Sequence, residues 1–175
     1  MIKSIKKSDL SFFIITFSYW FFMLTDGALR MLVLLHFHTL GFTPLQLAYL
    51  FLLYEFFGMV TNLTAGWIAK KIGLNITLYS GLFLQILSLL LLTQIDKNWS
   101  ITLSVIFIMA TQGLSGIAKD LTKMSSKSSV KLLAPDNNSK LFQWVSFMTG
   151  SKNAVKGFGF LLGLSLIHIS EPTRQ

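Results

Sequence analysis

Thr25-Asp26-Gly27-Ala28-Leu29-Arg30 lies inside an otherwise apolar run from Ser11 to Leu35. Read as a helix, that run is long enough to cross a bilayer, where about 20 apolar residues suffice. A charge at the centre of a bilayer helix costs about 2.5–3.5 kcal/mol on insertion scales. Two charges four residues apart, where leucine was available, therefore need a physical reason. One is mutual neutralisation, because Asp26 and Arg30 share a helix face. The other is that Arg30 faces a water-filled cavity and meets an anionic solute there, with Asp26 holding or gating it.

The rest of the composition agrees with a membrane setting. The chain is 53% hydrophobic and only 13% charged over 175 residues, about half the charge of a soluble domain, and its mean hydropathy is +0.62. There is no cysteine, so disulfides and thiolate metal sites are excluded. The first apolar run follows Lys3, Lys6 and Lys7 but is too long for a cleaved signal peptide and has no small-residue cleavage site.

Taken in order, residues 1–10 form a basic leader and Ser11–Leu35 the first span, with His36 and His38 at its far end as structural residues. Pro44 suits the first turn of a second helix and Thr43 its cap. Leu45–Ala69 is span 2, interrupted by Glu55 and Asn62, and Lys70-Lys71-Ile72-Gly73-Leu74-Asn75 is a tight basic loop. Ile76–Ile95 is span 3. Trp99 opens span 4 at an interfacial position, and that span ends near Ile117. Lys119 to Lys140 is a polar connector, and span 5 starts at Leu141. The expected fold is all-α, a polytopic membrane helical bundle.

Orientation follows from the basic residues. The leader holds three, the span 2–3 loop two (Lys70, Lys71) and the connector five (Lys119, Lys123, Lys127, Lys131, Lys140), against Lys97 alone on the other side. Ten against one puts the N-terminus in the cytoplasm. It also explains the net charge of +8 without a nucleic-acid partner.

Several residues are candidates for chemistry. Lys152 and Lys156 lie four apart in span 5, where they either snorkel to headgroups or form a cationic wall for an anion, with Ser151 and Asn153 adding hydrogen bonds. The glycines beside them (Gly150, Gly157, Gly159, Gly163) allow close helix packing. Lys119, Lys123, Lys127 and Lys131 repeat every four residues and read as a cytoplasmic amphipathic stretch against anionic lipid, or as an electrostatic entrance to which Lys119 and Lys123 lie nearest. Asp120 pairs with Lys119 or Lys123. Glu55, alone in span 2, is either a protonated carboxyl available for proton coupling or a partner of Arg30. No nucleophile–base set, phosphate-binding Gly loop or metal-ligand spacing occurs, so neither an enzyme nor a cofactor is expected.

Gly66-Trp67-Ile68-Ala69-Lys70-Lys71-Ile72-Gly73 resembles the major facilitator superfamily signature at Gly66, Lys71 and Gly73. Lys70 stands where that signature has Asp. A closer resemblance runs through Thr25 to His38, Phe51 to Gly58, Leu114 to Leu121 and Thr149 to Ala154. These segments look like the ArsJ-type organoarsenical efflux permeases of bacteria, and the similarity covers residues 12–163. It implies the N-terminal helices 1–5 of a twelve-helix major facilitator fold in the bacterial inner membrane. It further implies export of 1-arseno-3-phosphoglycerate and a functional link to a glyceraldehyde-3-phosphate dehydrogenase. The substrate would meet Arg30, Lys152, Lys156 and Lys119, while Asp26 and Glu55 would act in proton coupling or charge pairing. A carrier for another organic anion or drug is the alternative. Residues 164–175 resemble a translated sequencing adapter, so they are expected to be non-native and the natural protein to continue as a longer one. His168 and Glu171 accordingly receive no role.

Overall fold

The computed structural model describes residues 7–96, 98–133 and 138–170. Lys3 and Lys6 of the leader, Lys97, and the tail from Glu171 lie outside the described residues. Six helices follow in order: α1 Lys7–Thr39, α2 Pro44–Leu50, α3 Leu52–Ile72, α4 Leu74–Leu92, α5 Ile101–Leu133 and α6 Asn138–Ser170.

Local chemistry sets the breaks. Thr43 accepts a hydrogen bond from the Gln46 amide, and the Gln46 side chain accepts one from the Thr43 amide at 2.8 Å, a reciprocal capping box with Pro44 in the first turn. The second span is two helices joined at Phe51, whose amide turns back to Ala48. Gly73 separates α3 from α4 by itself. Its φ of 93° is a conformation that favours glycine, and its amide closes α3 on Ala69 at 2.9 Å. The turn before α5 is held by Asp96, which accepts from the Asn98 amide at 2.9 Å.

The helices alternate in direction. α1 and α6 run parallel, since Phe12 stacks on Trp144 near one end, Trp20 donates to Ser151 at 2.8 Å and Lys156 meets Asp26 further along. α3 and α5 are also parallel, with Gly66 beside Met124 and Gly58 beside Asp120. α4 runs against α5, where Ser115 donates to Gln85 and Ser88 to the Thr111 carbonyl.

Burial is inverted relative to a soluble bundle. Phe21, Leu63, Trp67, Tyr79, Phe83 and Phe142 are exposed, whereas Asp26, Thr77, Gln85, Ser88, Gln112, Ser115 and Ser125 are buried. Polar groups inside and large apolar groups outside are what lipid selects, because an unsatisfied polar group in hydrocarbon costs several kcal/mol. Four helical segments (Ser8–Thr39, Pro44–Ile72, Leu74–Leu92 and Ile101–Leu133) are long and apolar enough to cross a membrane. The chain is a multi-pass, membrane-type helical bundle.

Two expectations change. The fifth span exists as the 33-residue α6, but its lysines and Asn153 leave it outside the four segments apolar enough by composition among the described residues. The lysine–serine connector is not a separate surface helix. α5 continues unbroken through it to Leu133, with Thr122, Ser125, Ser126, Ser129 and Val130 buried in the bundle. The small hydroxylated face that separates the lysines lets α5 pack closely there, as small residues do between membrane helices.

Candidate functional site

Asp26 is the centre of the polar interior. It sits near the middle of α1 and its side chain is fully buried. Lys156 Nζ reaches its Oδ2 at 2.7 Å, and the buried Tyr54 hydroxyl donates to its Oδ1 at 2.5 Å. Arg30 Nε, one turn on, stands 4.0 Å from the same Oδ1. The expected Asp26–Arg30 pair is therefore at the outer limit of contact, and the principal partner of Asp26 comes from α6. A carboxylate removed from water keeps its charge only when paired and hydrogen-bonded, and Lys156 and Tyr54 supply both.

Arg30 spends its guanidinium on Glu55. Its Nη2 meets Glu55 Oε1 at 2.6 Å, and Lys119 Nζ meets Oε2 at 3.5 Å. The Glu55 side chain remains 61% exposed. It is not alone: it pairs with Arg30 and Lys119, the charge-pair alternative among the two expected for it. Lys119 also approaches Asp120 at 3.8 Å, and Lys123 pairs with Asp120 at 3.0 Å.

Tyr54 ties these groups together. The Arg30 guanidinium lies 4.0 Å and the Lys119 ammonium 4.3 Å from its ring centre, each contact worth about 0.5–2 kcal/mol depending on desolvation. Tyr54 was not among the residues expected to act. Its signal in the sequence was a tyrosine directly before the charged Glu55 inside a span, which pattern reading treats as ordinary apolar filling.

Close helix approach makes the cluster possible. A Cβ on Gly27 would stand 2.6 Å from the Lys156 carbonyl, and one on Gly163 2.6 Å from the Ala28 carbonyl; Gly159 faces Leu24 as tightly. Of the four glycines expected to pack, Gly159 and Gly163 do so. Gly150 and Gly157 face open space.

Lys152 does not join the cluster and makes no ion pair among the described residues. Ser151 is engaged by Trp20 and by the Phe147 carbonyl, and Asn153 is exposed, so neither adds hydrogen bonds to the cluster. His36 and His38 lie in the last turn of α1, away from it. A groove of about 620 Å³ bordered by Asp9, Phe12, Lys140 and Trp144 opens at the start of α1 and α6, more than two helical turns from Asp26, and has its own Lys140–Asp9 pair.

Asp26, Lys119 and Lys156 each fall within three residues of the midpoint of a 33-residue helix. Four cations (Arg30, Lys119, Lys123, Lys156) face three carboxylates (Asp26, Glu55, Asp120), an excess of one positive charge. The arrangement can hold an anion or exchange ion-pair partners; it offers no nucleophile set against a base. Compared with known proteins, the chain matches no family model, no curated protein and no solved structure.

Proposed function

We propose that this chain is the N-terminal part of a membrane efflux carrier for an anionic organoarsenical, 1-arseno-3-phosphoglycerate, and so serves arsenate resistance. The observation that carries the reading is the convergence of Arg30, Lys119 and Lys156, from three helices, on one cluster around Asp26, Tyr54 and Glu55. Intramembrane charges that face a bundle interior mark solute and ion pathways, and carriers place their sites near the midplane between halves that rock in alternating access. The guanidinium of Arg30 suits a phosphate or carboxylate fork, and the lysines act as point charges. Asp26 and Glu55 hold those cations between transport events, with protons as the candidate coupling ion. On this reading the protein lies in the bacterial inner membrane with its N-terminus in the cytoplasm. It works beside a glyceraldehyde-3-phosphate dehydrogenase that makes the ester, and is not itself an enzyme.

The experiment is arsenate resistance in arsenic-sensitive bacteria expressing the complete reading frame together with that dehydrogenase. Arg30→Ala is expected to abolish resistance while the protein still inserts. Unchanged resistance in that variant removes Arg30 from the pathway. The chain has no cysteine, so recognition falls to oxyanion charge, which other phosphorylated or carboxylated solutes share. Wild-type protein that exports such a solute but confers no resistance identifies the alternative, a facilitator for another organic anion or drug.

A further inference from the structure

The charge cluster holds two closed pairs and one loose arrangement. Lys156 lies 2.7 Å from Asp26 and Lys123 3.0 Å from Asp120, both within hydrogen-bond range. Lys119 is different. It stands 3.5 Å from Glu55 Oε2 and 3.8 Å from Asp120 Oδ2, each longer than a charge-assisted hydrogen bond. Arg30 also keeps a donor in reserve: its Nε is buried without a hydrogen-bond partner, 4.0 Å from Asp26. Between these two cations lies the Glu55 carboxylate, gripped closely at one oxygen only, by Arg30 Nη2 at 2.6 Å.

Glu55 is also the one acid of the cluster with room to move. Its side chain is 61% exposed, against 0% for Asp26 and 5% for Asp120. Asp26 is further fixed by the Tyr54 hydroxyl. An ionised carboxylate exposed within a span faces a water-filled cavity rather than hydrocarbon, so Glu55 can swing out and stay hydrated. Asp26 and Asp120 cannot, because a buried charge stripped of its partner is strongly disfavoured. The place that Glu55 would leave is preformed. The Tyr54 ring carries both cations, at 4.0 Å for Arg30 and 4.3 Å for Lys119. Gly58, three residues after Glu55, clears space for the ammonium: a Cβ there would stand 3.4 Å from Lys119 Nζ and 2.8 Å from Asp120 Oδ2. Two oxygens side by side, as on a carboxylate or a phosphoryl group, match the two cations that Glu55 now bridges.

We infer that Glu55 is a built-in competitor, whose carboxylate occupies the place between Arg30 and Lys119 that a solute's oxyanion takes by displacing it. Lys156 remains paired with Asp26 at this step. That the oxyanion belongs to an exported solute rests on the carrier reading above; the displacement rests on the unspent donors and the exposed Glu55 arm.

The test measures binding of 3-phosphoglycerate, glycerate and glycerol 3-phosphate to the full chain in zwitterionic nanodiscs, for wild type, Glu55→Gln, Glu55→Asp and Arg30→Gln. Glu55→Gln is expected to bind 3-phosphoglycerate roughly tenfold or more tightly than wild type, the worth of a charge-assisted hydrogen bond no longer competed for. A carboxylate that merely positioned the two cations would give the opposite sign. Glu55→Asp, which keeps the competing charge, should stay near wild type, and Arg30→Gln should lose binding. The ligand should also raise the thermal midpoint of Glu55→Gln more than that of wild type, where it only replaces one anion by another. Glycerate or glycerol 3-phosphate showing the same gain identifies the carboxylate or the phosphoryl group as the end that displaces Glu55. Unchanged or weaker binding in Glu55→Gln, with binding lost in Arg30→Gln, overturns the competitor and spares the carrier reading. Tighter binding in Glu55→Gln, with no arsenate resistance from the complete protein, supports the competitor and sinks the carrier reading. No binding by either protein sinks both.

Discussion

At the scale of single residues, Asp26 carries the largest stake. Its side chain is fully buried and satisfied by Lys156 and Tyr54. Removing one member of a buried pair leaves the other charge uncompensated, which costs about 3–5 kcal/mol, whereas replacing both by apolar groups is often neutral. Asp26→Asn should therefore lower thermal stability in detergent markedly, and Asp26→Leu/Lys156→Met should recover most of the loss. Additive destabilisation in the double variant would deny that the two side chains compensate each other. Sequence spacing exposed the charges but not their pairing. The i, i+4 rule places Asp26 and Arg30 on one face and says nothing of what stands opposite, and Lys156 arrives from 130 residues away. Glu55 was legible as a partner of Arg30 because consecutive spans tend to neighbour one another. Tyr54 was not, since a tyrosine in an apolar run shows its polar end only when the acceptor is known.

Among the elements, the parallel contact between α1 and α6 depends on side chains that are missing. Gly27, Gly159 and Gly163 bring the two backbones together, and any Cβ at Gly159 would collide with the Leu24 carbonyl. Gly159→Val should force the helices apart and cost several kcal/mol, about the scale of a severe overpacking defect. It should also withdraw Lys156 from Asp26. Gly157→Ala, facing open space, should instead be neutral or stabilise by up to about 1 kcal/mol through helix propensity. Folded yield and thermal midpoint of the two variants make the comparison, and equal behaviour would refute the close-packing role. Span positions were readable because lipid demands long apolar runs. The ends were not, because α5 carries its helix past Ile117 on a buried Ser/Thr face that hydropathy scores as loop. The break at Phe51 was equally hidden, with no Gly or Pro to announce it.

For the whole molecule, the alternation of helix direction leaves only orientation open, and the distribution of charge argues for one choice. α1 and α6 start, and α3 and α5 finish, at the same end of the bundle, where Lys70, Lys71, Lys131 and Lys140 also lie. Basic residues next to spans are retained on the cytoplasmic side. Inverting the bundle would require translocating that end against the rule. A chain without cysteine permits a direct test by single-cysteine labelling with no background. Asn98 lies at the opposite end, exposed in the turn before α5, while Asn75 and Ser139 are exposed at the basic end. A membrane-impermeant maleimide on intact cells should label Asn98→Cys and spare Asn75→Cys and Ser139→Cys, with the pattern reversed in inside-out vesicles. That result would put Lys127 and Lys152, on the basic-end side of Asp120 and Lys156 along their helices, in the half of the bundle that a cytosolic anion reaches first. The opposite labelling would turn the basic end of the bundle, and the same lysines with it, toward the outside.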